Sequence, residues 1–433
     1  MISKNRRKLH LASAGIAVVA LSLSSMPAQA TPRLHSEVGV TSTSIKLGMT
    51  LPMTESAKYG YNQIPGAMKA YFAYVNANGG VNGRKIDLIV KDDKYLPNLA
   101  IKNTQELIQA KVMAMVAPLG TANNKAVAAS VNLGNRGIPS LFINTGYSGF
   151  TKKAYPTTYS ILPSYIMEAK IMSQYIKDTY PDKKIGLLYQ DDDFGADALV
   201  GFDKTHGNTT FAVTVPYASG SQALPGVPDS WITKFKGKVD VVVIFGVSSA
   251  TLYTVMAAAK ASFAPKWILG SVGADIASIN PATLPYIIGA TSMSFLPSTA
   301  DPTDEYVKLF KKVNTDYNVG ASFNSWALIG MNTAFLTVQA LKAAGKNPTR
   351  NSLMAAIDSK GSTFASAGLV PLNYSASSNV GYNGYWFGTF NATGELVPNS
   401  TFTYTTWTTD SSTGAVVKST YKRPAMPTNG LPQ

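Results

Sequence analysis

The stretch that most constrains this chain is VDVVVIFG, residues 239–246. A near-continuous apolar run has no polar face, so it suits a strand covered on both sides. A helical pattern follows it at once, from Ala250 to Ser262. The same couplet recurs along the chain. SIKLGMTL precedes a helical pattern over 61–78, RKIDLIVKDD one over 98–110, and VMAMVAP one opened by Thr121. PSLFIN precedes one over 163–181, KIGLLYQ one over 196–204, and PKWILGS closes the series. Apolar strands alternating with helices predict an α/β fold of doubly wound parallel sheets.

The series is long enough for two sheets. Breaks fall at 155–164 and at 291–301, the extended, proline-bearing TSMSFLPSTAD. Two further helices are expected at EYVKLFKKVNTDY and SWALIGMNTAFLTVQALKAAG. From Tyr382 the pattern changes, and YNGYWFGTFN and TFTYTTW alternate as β-ribbon. The last ten residues carry three prolines and are expected to form a loose tail.

Residues 1–30 read as a secretory signal peptide. Lys4, Arg6, Arg7 and Lys8 precede an apolar stretch from Leu11 to Leu23, and Ala28-Gln29-Ala30 gives a small-x-small cleavage pattern. Cleavage removes four positive charges from a chain of net charge +14. The remaining lysines are scattered, without arginine-rich or aromatic-interleaved runs, so nucleic acid is not an expected partner. The chain has no cysteine, hence no disulfide and no lipid-bearing cysteine, and a periplasmic or secreted location is expected.

Most catalytic chemistry lacks its residues. Of three histidines, His10 leaves with the signal peptide, and only His35 and His206 remain. That disfavours histidine metal sites and Ser-His hydrolysis. FGVSSATL puts Ser248 after a strand, close to a nucleophile elbow, but Ala250 replaces the second glycine and no histidine lies downstream. No P-loop or dinucleotide fingerprint occurs. The triple Asp191-Asp192-Asp193 and the pair Asp92-Asp93 each follow a strand, where turn and helix-start roles need no metal. No cofactor is expected. Polar turns at strand ends remain, PLGTANNKAV and NTGYSGF, at the sheet edge where open α/β folds bind ligands. Thr121 either caps its helix or, with Asn123 and the helix N–H groups, faces an anion.

In family order, NANGGVNGRKIDLIVKDD, PLGTANNKAVA, PSYIMEAKIMSQYI and LLYQDDDFGADAL resemble the branched-chain amino acid solute-binding proteins of ABC transporters, of periplasmic binding fold type I. The resemblance covers most of residues 43–371 and fades after Pro371. It implies two α/β lobes joined by three crossing strands, a ligand in the cleft and closure by hinge motion. The implied division is lobe I at 43–160 and 293–370, and lobe II at 161–292 and 371–433 with a β-rich C-terminal extension. The third crossing is expected near 369–373.

The resemblance also implies roles. Tyr59 and the turn Thr121-Ala122-Asn123 would face the cleft from lobe I, Thr121 holding a carboxylate. Thr145, Gly146 and the nearby Tyr147 would add the next strand-end loop. Asp193 and Phe194 would face ligand from lobe II, with Val247 or Ser248 beside them. Ser271 and Val272 stand where amino-acid binders of the family carry the carboxylate that holds the ligand ammonium. Either Asp193 or Asp275 replaces it, or the ligand has no ammonium; Asp193 is otherwise expected to serve the helix start. The implied function is non-enzymatic: a monomer that captures a carboxylate-bearing solute and delivers it to an ABC permease. A sensor subunit of the same fold, signalling to a regulator, is the alternative.

Overall fold

The computed structural model describes residues 37–54 and 59–432. The signal-peptide segment lies outside the described residues.

The first sheet is built from β1 (Ser44–Leu51), β2 (Lys85–Asp92), β3 (Ala114–Val116), β4 (Ser140–Ile143) and β5 (Thr158–Ser160), in the order β2-β1-β3-β4-β5. All its pairings are parallel. Helices α1 (Ile64–Ala77), α2 (Pro97–Gln109) and α3 (Thr121–Val131) connect the strands. The single helix expected over 61–78 is split. Tyr61–Gln63 is a 3-10 turn and α1 starts at Ile64, with Pro65 in the first turn where its missing N–H is tolerated.

The second sheet follows α4 (Tyr165–Thr179). It takes β6 (Ile185–Gln190), α5 (Asp193–Phe202), β7 (Val213–Tyr217), α6 (Val227–Phe235), β8 (Val241–Phe245), α7 (Ser248–Lys260), β9 (Lys266–Leu269), α8 (Leu284–Ile287) and β10 (Thr291–Ser294). The strands order β7-β6-β8-β9-β10, all parallel. Central β8 is buried at all five positions, as its apolar run requires. Helix α5 begins at Asp193, three residues before the expected Ala196, because Asp192 caps it there.

The chain then returns to the first lobe. Helices α9 (Glu305–Tyr317), α10 (Ser325–Ala343) and α11 (Arg350–Lys360) join it, and α10 packs across α1. A Cβ on Gly330 would lie 2.8 Å from the Ile64 carbonyl oxygen, so glycine permits this close crossing. Three segments link the lobes and bond to one another. Leu369 N–H donates to Phe295 O at 2.9 Å, Ser160 N–H to Asn379 O at 2.9 Å, and Tyr382 N–H to Ile161 O at 3.1 Å.

The β-ribbon is β11 (Tyr385–Phe390), β12 (Leu396–Val397), β13 (Thr406–Thr408) and β14 (Val417–Lys418), all antiparallel. It extends the second sheet beyond β10. Lys170 of α4 anchors it: this lysine is almost fully buried, and its ammonium donates to Asp410 Oδ1 at 2.9 Å, Ser412 O at 2.5 Å and Gly414 O at 2.8 Å. The expected loose tail is not loose. Tyr71 and Tyr74 hydroxyls donate to Gly430 O at 2.6 Å and Asn429 O at 2.7 Å, and Arg423 pairs with Asp304 at 2.7 Å. Prolines preset an extended path, and lobe I side chains hold that path down. The extension therefore touches both lobes.

Candidate functional site

The strand ends of both sheets meet across a cleft. On the first lobe, the turn after β3 brings Gly120 to the N-cap of α3, with φ +102 and no side chain capping the helix. A Cβ on Gly120 would lie 2.7 Å from the Tyr95 ring, so only glycine lets that ring lie across the helix start. Thr121 is therefore not the cap. Its hydroxyl lies 2.7 Å from that of Thr145, and both side chains are buried. The hydroxyl of Tyr165 joins them; burial pushes its phenol up, opposed by hydrogen bonds with Thr145, the Gly146 backbone and Thr121.

Lobe II supplies the opposite wall. Tyr165 packs on Phe194 with ring centroids 4.5 Å apart. Phe194, Val247, Ser271 and Val272 face Thr121 across a chamber of about 60 Å³. Tyr61, Tyr95, Asn144, Leu162, Phe295 and Trp326 complete its sides. No Asp, Glu, Lys, Arg or His is among its lining residues.

The lobes are shut over this chamber. Ser248 Oγ donates to Tyr59 O at 2.5 Å, and Ser248 N–H to the Tyr61 hydroxyl at 3.2 Å. Tyr59 and Tyr253 hydroxyls meet at 2.9 Å. Lys125 pairs with Asp193 at 2.7 Å. Asp197 accepts from Ser148 N–H at 2.6 Å and from its hydroxyl at 2.8 Å. Burial pushes the Asp197 carboxyl up to about 6.

Of the residues singled out in the sequence, Thr121, Phe194, Val247, Ser271 and Val272 line the chamber. Thr145 stands behind Thr121, and Gly146 packs under Tyr165, where a Cβ would come within 2.9 Å of the ring. Tyr59 and Ser248 join the two lobes to each other, and Tyr147 lies outside the chamber beneath the Lys125 ammonium. Ala122 is half-buried and outside the chamber lining. Asn123 faces away from the cleft, toward Thr50, Asp93 and Thr104. Burial pushes the Asp93 carboxyl up to about 6.

The three aspartates divide their work. Asp192 accepts from Phe194 N–H at 2.9 Å and from Gln190 Nε2 at 2.7 Å. The helix-start role expected of Asp193 thus belongs to its neighbour. Asp193 turns outward to Lys125, because a lobe I cation lies opposite it. Among the described residues, no three His, Cys, Asp or Glu side chains gather to hold a metal.

Several lining residues carry no local motif. Tyr61 and Tyr95 sit in turns, while Phe295 and Trp326 come from distant segments that the fold brings in. Glu168 of α4 is fully buried directly behind Ser271. Its carboxylate accepts from Ser271 N–H at 2.7 Å, Ser271 Oγ at 2.9 Å and the Tyr385 hydroxyl at 3.0 Å. Burial raises its pKa and these donors oppose that shift. Glu168 is the carboxylate nearest the place where the resemblance looked for one, yet it does not line the chamber.

Curated relatives are distant. Leu/Ile/Val-binding protein homolog 2 of Brucella abortus (strain 2308) is 23% identical over 157 residues, 36% of this chain and 42% of that protein. The chain thus spans less than half the length of that relative. Leu/Ile/Val-binding protein homolog 7 of Brucella suis biovar 1 is 24% identical over 316 residues, 68% of this chain and 75% of that protein. Among solved structures, a substrate-binding periplasmic protein from Ralstonia solanacearum aligns with a TM-score of 0.72 at 18% identity, over 87% of this chain and 100% of its own. An ABC-transporter solute-binding protein from Rhodopseudomonas palustris BisB5, in complex with 3,4-dihydroxy benzoic acid, aligns at 0.68 and 21% identity, over 82% and 95%. The periplasmic binding protein family profile matches residues 44–395, most of the chain, and the chain belongs to that family.

Proposed function

We propose that this protein is an extracytoplasmic solute receptor that closes on a small carboxylate and hands it to an ABC importer. It binds its ligand and does not transform it. The observation that carries this reading is the Thr121 end of the chamber. There, hydroxyls of Thr121, Thr145 and Tyr165 lie at the opening of α3, whose first turn has no side-chain cap. Free helix N–H groups and hydroxyls together suit a carboxylate.

The ligand class follows from charge. A free amino acid brings an ammonium into the chamber, where no lining residue is anionic. An unpaired buried cation is costly. The aromatic walls instead suit an aliphatic or aromatic acid without an α-amino group. Of the proteins named above, two are Leu/Ile/Val-binding protein homologues by name and one is in complex with 3,4-dihydroxy benzoic acid, so the distinction is a real one. A thermal-shift screen separates the two. Short aliphatic and benzoate-type acids are expected to stabilise the protein, and leucine, isoleucine and valine to leave it unmoved. Micromolar leucine or valine binding with no response to the acids overturns the assignment.

A further inference from the structure

A second, larger cavity adjoins the chamber. It measures about 440 Å³ and is walled by the 271–278 loop of lobe II, the crossing segment 292–299, the start of α10 and the β11–β12 hairpin. Four residues, Ser271, Phe295, Trp326 and Ile329, line both spaces. Its volume lies within the ordinary range of small-ligand sites, about 300–1,000 Å³, whereas the chamber at Thr121 falls far below that range.

Its chemistry differs from that of the chamber. Phe295, Trp326, Trp386 and Phe390 give aromatic walls, and Met293 and Leu328 add apolar surface. Two of its lining residues are carboxylates, Asp275 and Glu395, and none is Lys, Arg or His. In a chain of net charge +14, that local excess of negative charge opposes a second anion. Asp275 is held at the lobe boundary: the Ser325 hydroxyl of α10 donates to it, as does Ser278 N–H at 3.4 Å. The Ser278 side chain and the Ser325 backbone also bond to it, so its donors are all neutral and its charge has no cationic partner among the lining residues. Asp275 has its carboxyl pushed up by burial, which a cation beside it would relieve. Ser278, Ser325 and Thr393 are exposed lining residues, so the cavity opens to solvent there.

We infer that the two spaces form one elongated ligand site, with Ser271, Phe295, Trp326 and Ile329 as its neck, and that the large cavity takes an apolar tail ending in an ammonium beside Asp275. The inference rests on the proposed carboxylate site at Thr121, and it narrows the ligand to an extended acid with its amine far from its carboxylate. An α-amino acid places the two groups one carbon apart and cannot reach both ends.

The test uses the mature protein and two matched series in titration calorimetry. One is the ω-amino carboxylates from γ-aminobutyrate to ω-aminododecanoate, the other the alkanoates of the same lengths; alkylamines serve as controls. An affinity maximum at an intermediate length is expected, with the ω-amino acid binding at least tenfold tighter than its alkanoate. Asp275→Asn should bring the two series together. Ser278→Trp, at the exposed rim, should weaken the long members at least tenfold. Equal affinities in the unaltered protein, or an amine advantage that survives Asp275→Asn, overturns the inference. Alkanoates that bind through Thr121 with no amine advantage leave the carboxylate site standing and remove this extension. Alkylamines binding through Asp275, with no carboxylate bound at all, leave the cavity as an amine site and remove the carboxylate reading. No binding in any series removes both.

Discussion

Thr121 and Thr145 touch through their hydroxyls, 2.7 Å apart, although one opens α3 and the other stands two residues past the end of β4. Thr145 also accepts from Tyr147 N–H at 3.2 Å, which holds its oxygen in place, and either hydroxyl of the pair can donate to the other. The pair thus presents two linked hydroxyls at the mouth of a helix without a side-chain cap. Thr121→Ala should weaken carboxylate binding by roughly 1–3 kcal/mol, the worth of a hydrogen bond to a charged group. Calorimetry with a bound acid measures this, and an unchanged affinity in a folded variant removes Thr121 from the site.

The lysine cage should matter to stability and not to binding. Lys170→Met takes the charged donor from Ser412 O and Asp410 Oδ1, and one of two donors from Gly414 O, which keeps the Thr409 hydroxyl. Hydrogen bonds from a charged donor are worth roughly 1.5–3 kcal/mol, and a loss of that order is expected in urea unfolding. A variant as stable as the parent would mean the extension holds on without Lys170.

How much of this was legible beforehand depended on range. Strand and helix alternation is a local signal, and the apolar run of β8 announced a strand buried on both faces. The turn PLGTANN stood out as a polar turn at a strand end, a local signal, while the choice between Thr121 as cap and Thr121 facing a ligand stayed open until the fold put Gly120 in the cap position. The neck residues Phe295 and Trp326 could not, since only tertiary packing brings segments 30 or more residues apart to one wall. Asp192 and Asp193 were indistinguishable by position; the side chain opposite each one, Gln190 or Lys125, decided its role. The tail misled for a similar reason. Its prolines describe the backbone, while Tyr71 and Tyr74, far earlier in the chain, describe what binds it.

Acidification should stabilise the protein between about pH 4 and 6. Asp93 and Asp197 are both pushed up to about 6, with burial as the leading cause. An unfolded aspartate ionises near ~3.9, so in this window the folded chain holds protons that the unfolded chain has released. Their stabilisation is present at low pH and is lost as pH rises through about 6. Nearby Asp92 and Asp193 carry the same sign and act in the same direction. Asp410, held low by the Lys170 ammonium, and Asp92, Asp203 and Asp301, held low by hydrogen bonds, titrate oppositely, their contributions lost as pH falls through their depressed pKa values, below this window. Melting temperatures from pH 4 to 8 in the parent and in Asp93→Asn and Asp197→Asn test this. The variants should flatten the slope, and a parent that gains stability from pH 5 to 7 contradicts the assignment.

Closure should be finely balanced. Lys125 and Asp193 are each more than a third exposed, 43% and 37%, and a pair of that kind contributes at most about 1 kcal/mol. The Ser248–Tyr59 and Tyr59–Tyr253 bonds are neutral and sit at the cleft edge, each worth about 1 kcal/mol. With Ser248 N–H on the Tyr61 hydroxyl and the two Ser148 bonds to Asp197 added, the contacts reach several kcal/mol, the same order as the differential affinity of about 5.5 kcal/mol that drives a two-state equilibrium almost fully across. These bonds are opposed by the freedom the lobes lose on closing, ligand contacts on both walls add to them, and the open form is expected to be populated without ligand. Small-angle scattering should give a smaller radius of gyration with bound acid than without. The double variant Ser248→Ala, Tyr59→Phe should enlarge the ligand-free radius further and raise Kd roughly tenfold, since binding then has to replace the lost bonds. If the ligand-free parent, the ligand-bound parent and the double variant all share one radius, the lobes do not move and the hinge between segments 160–163, 294–299 and 369–382 is rigid.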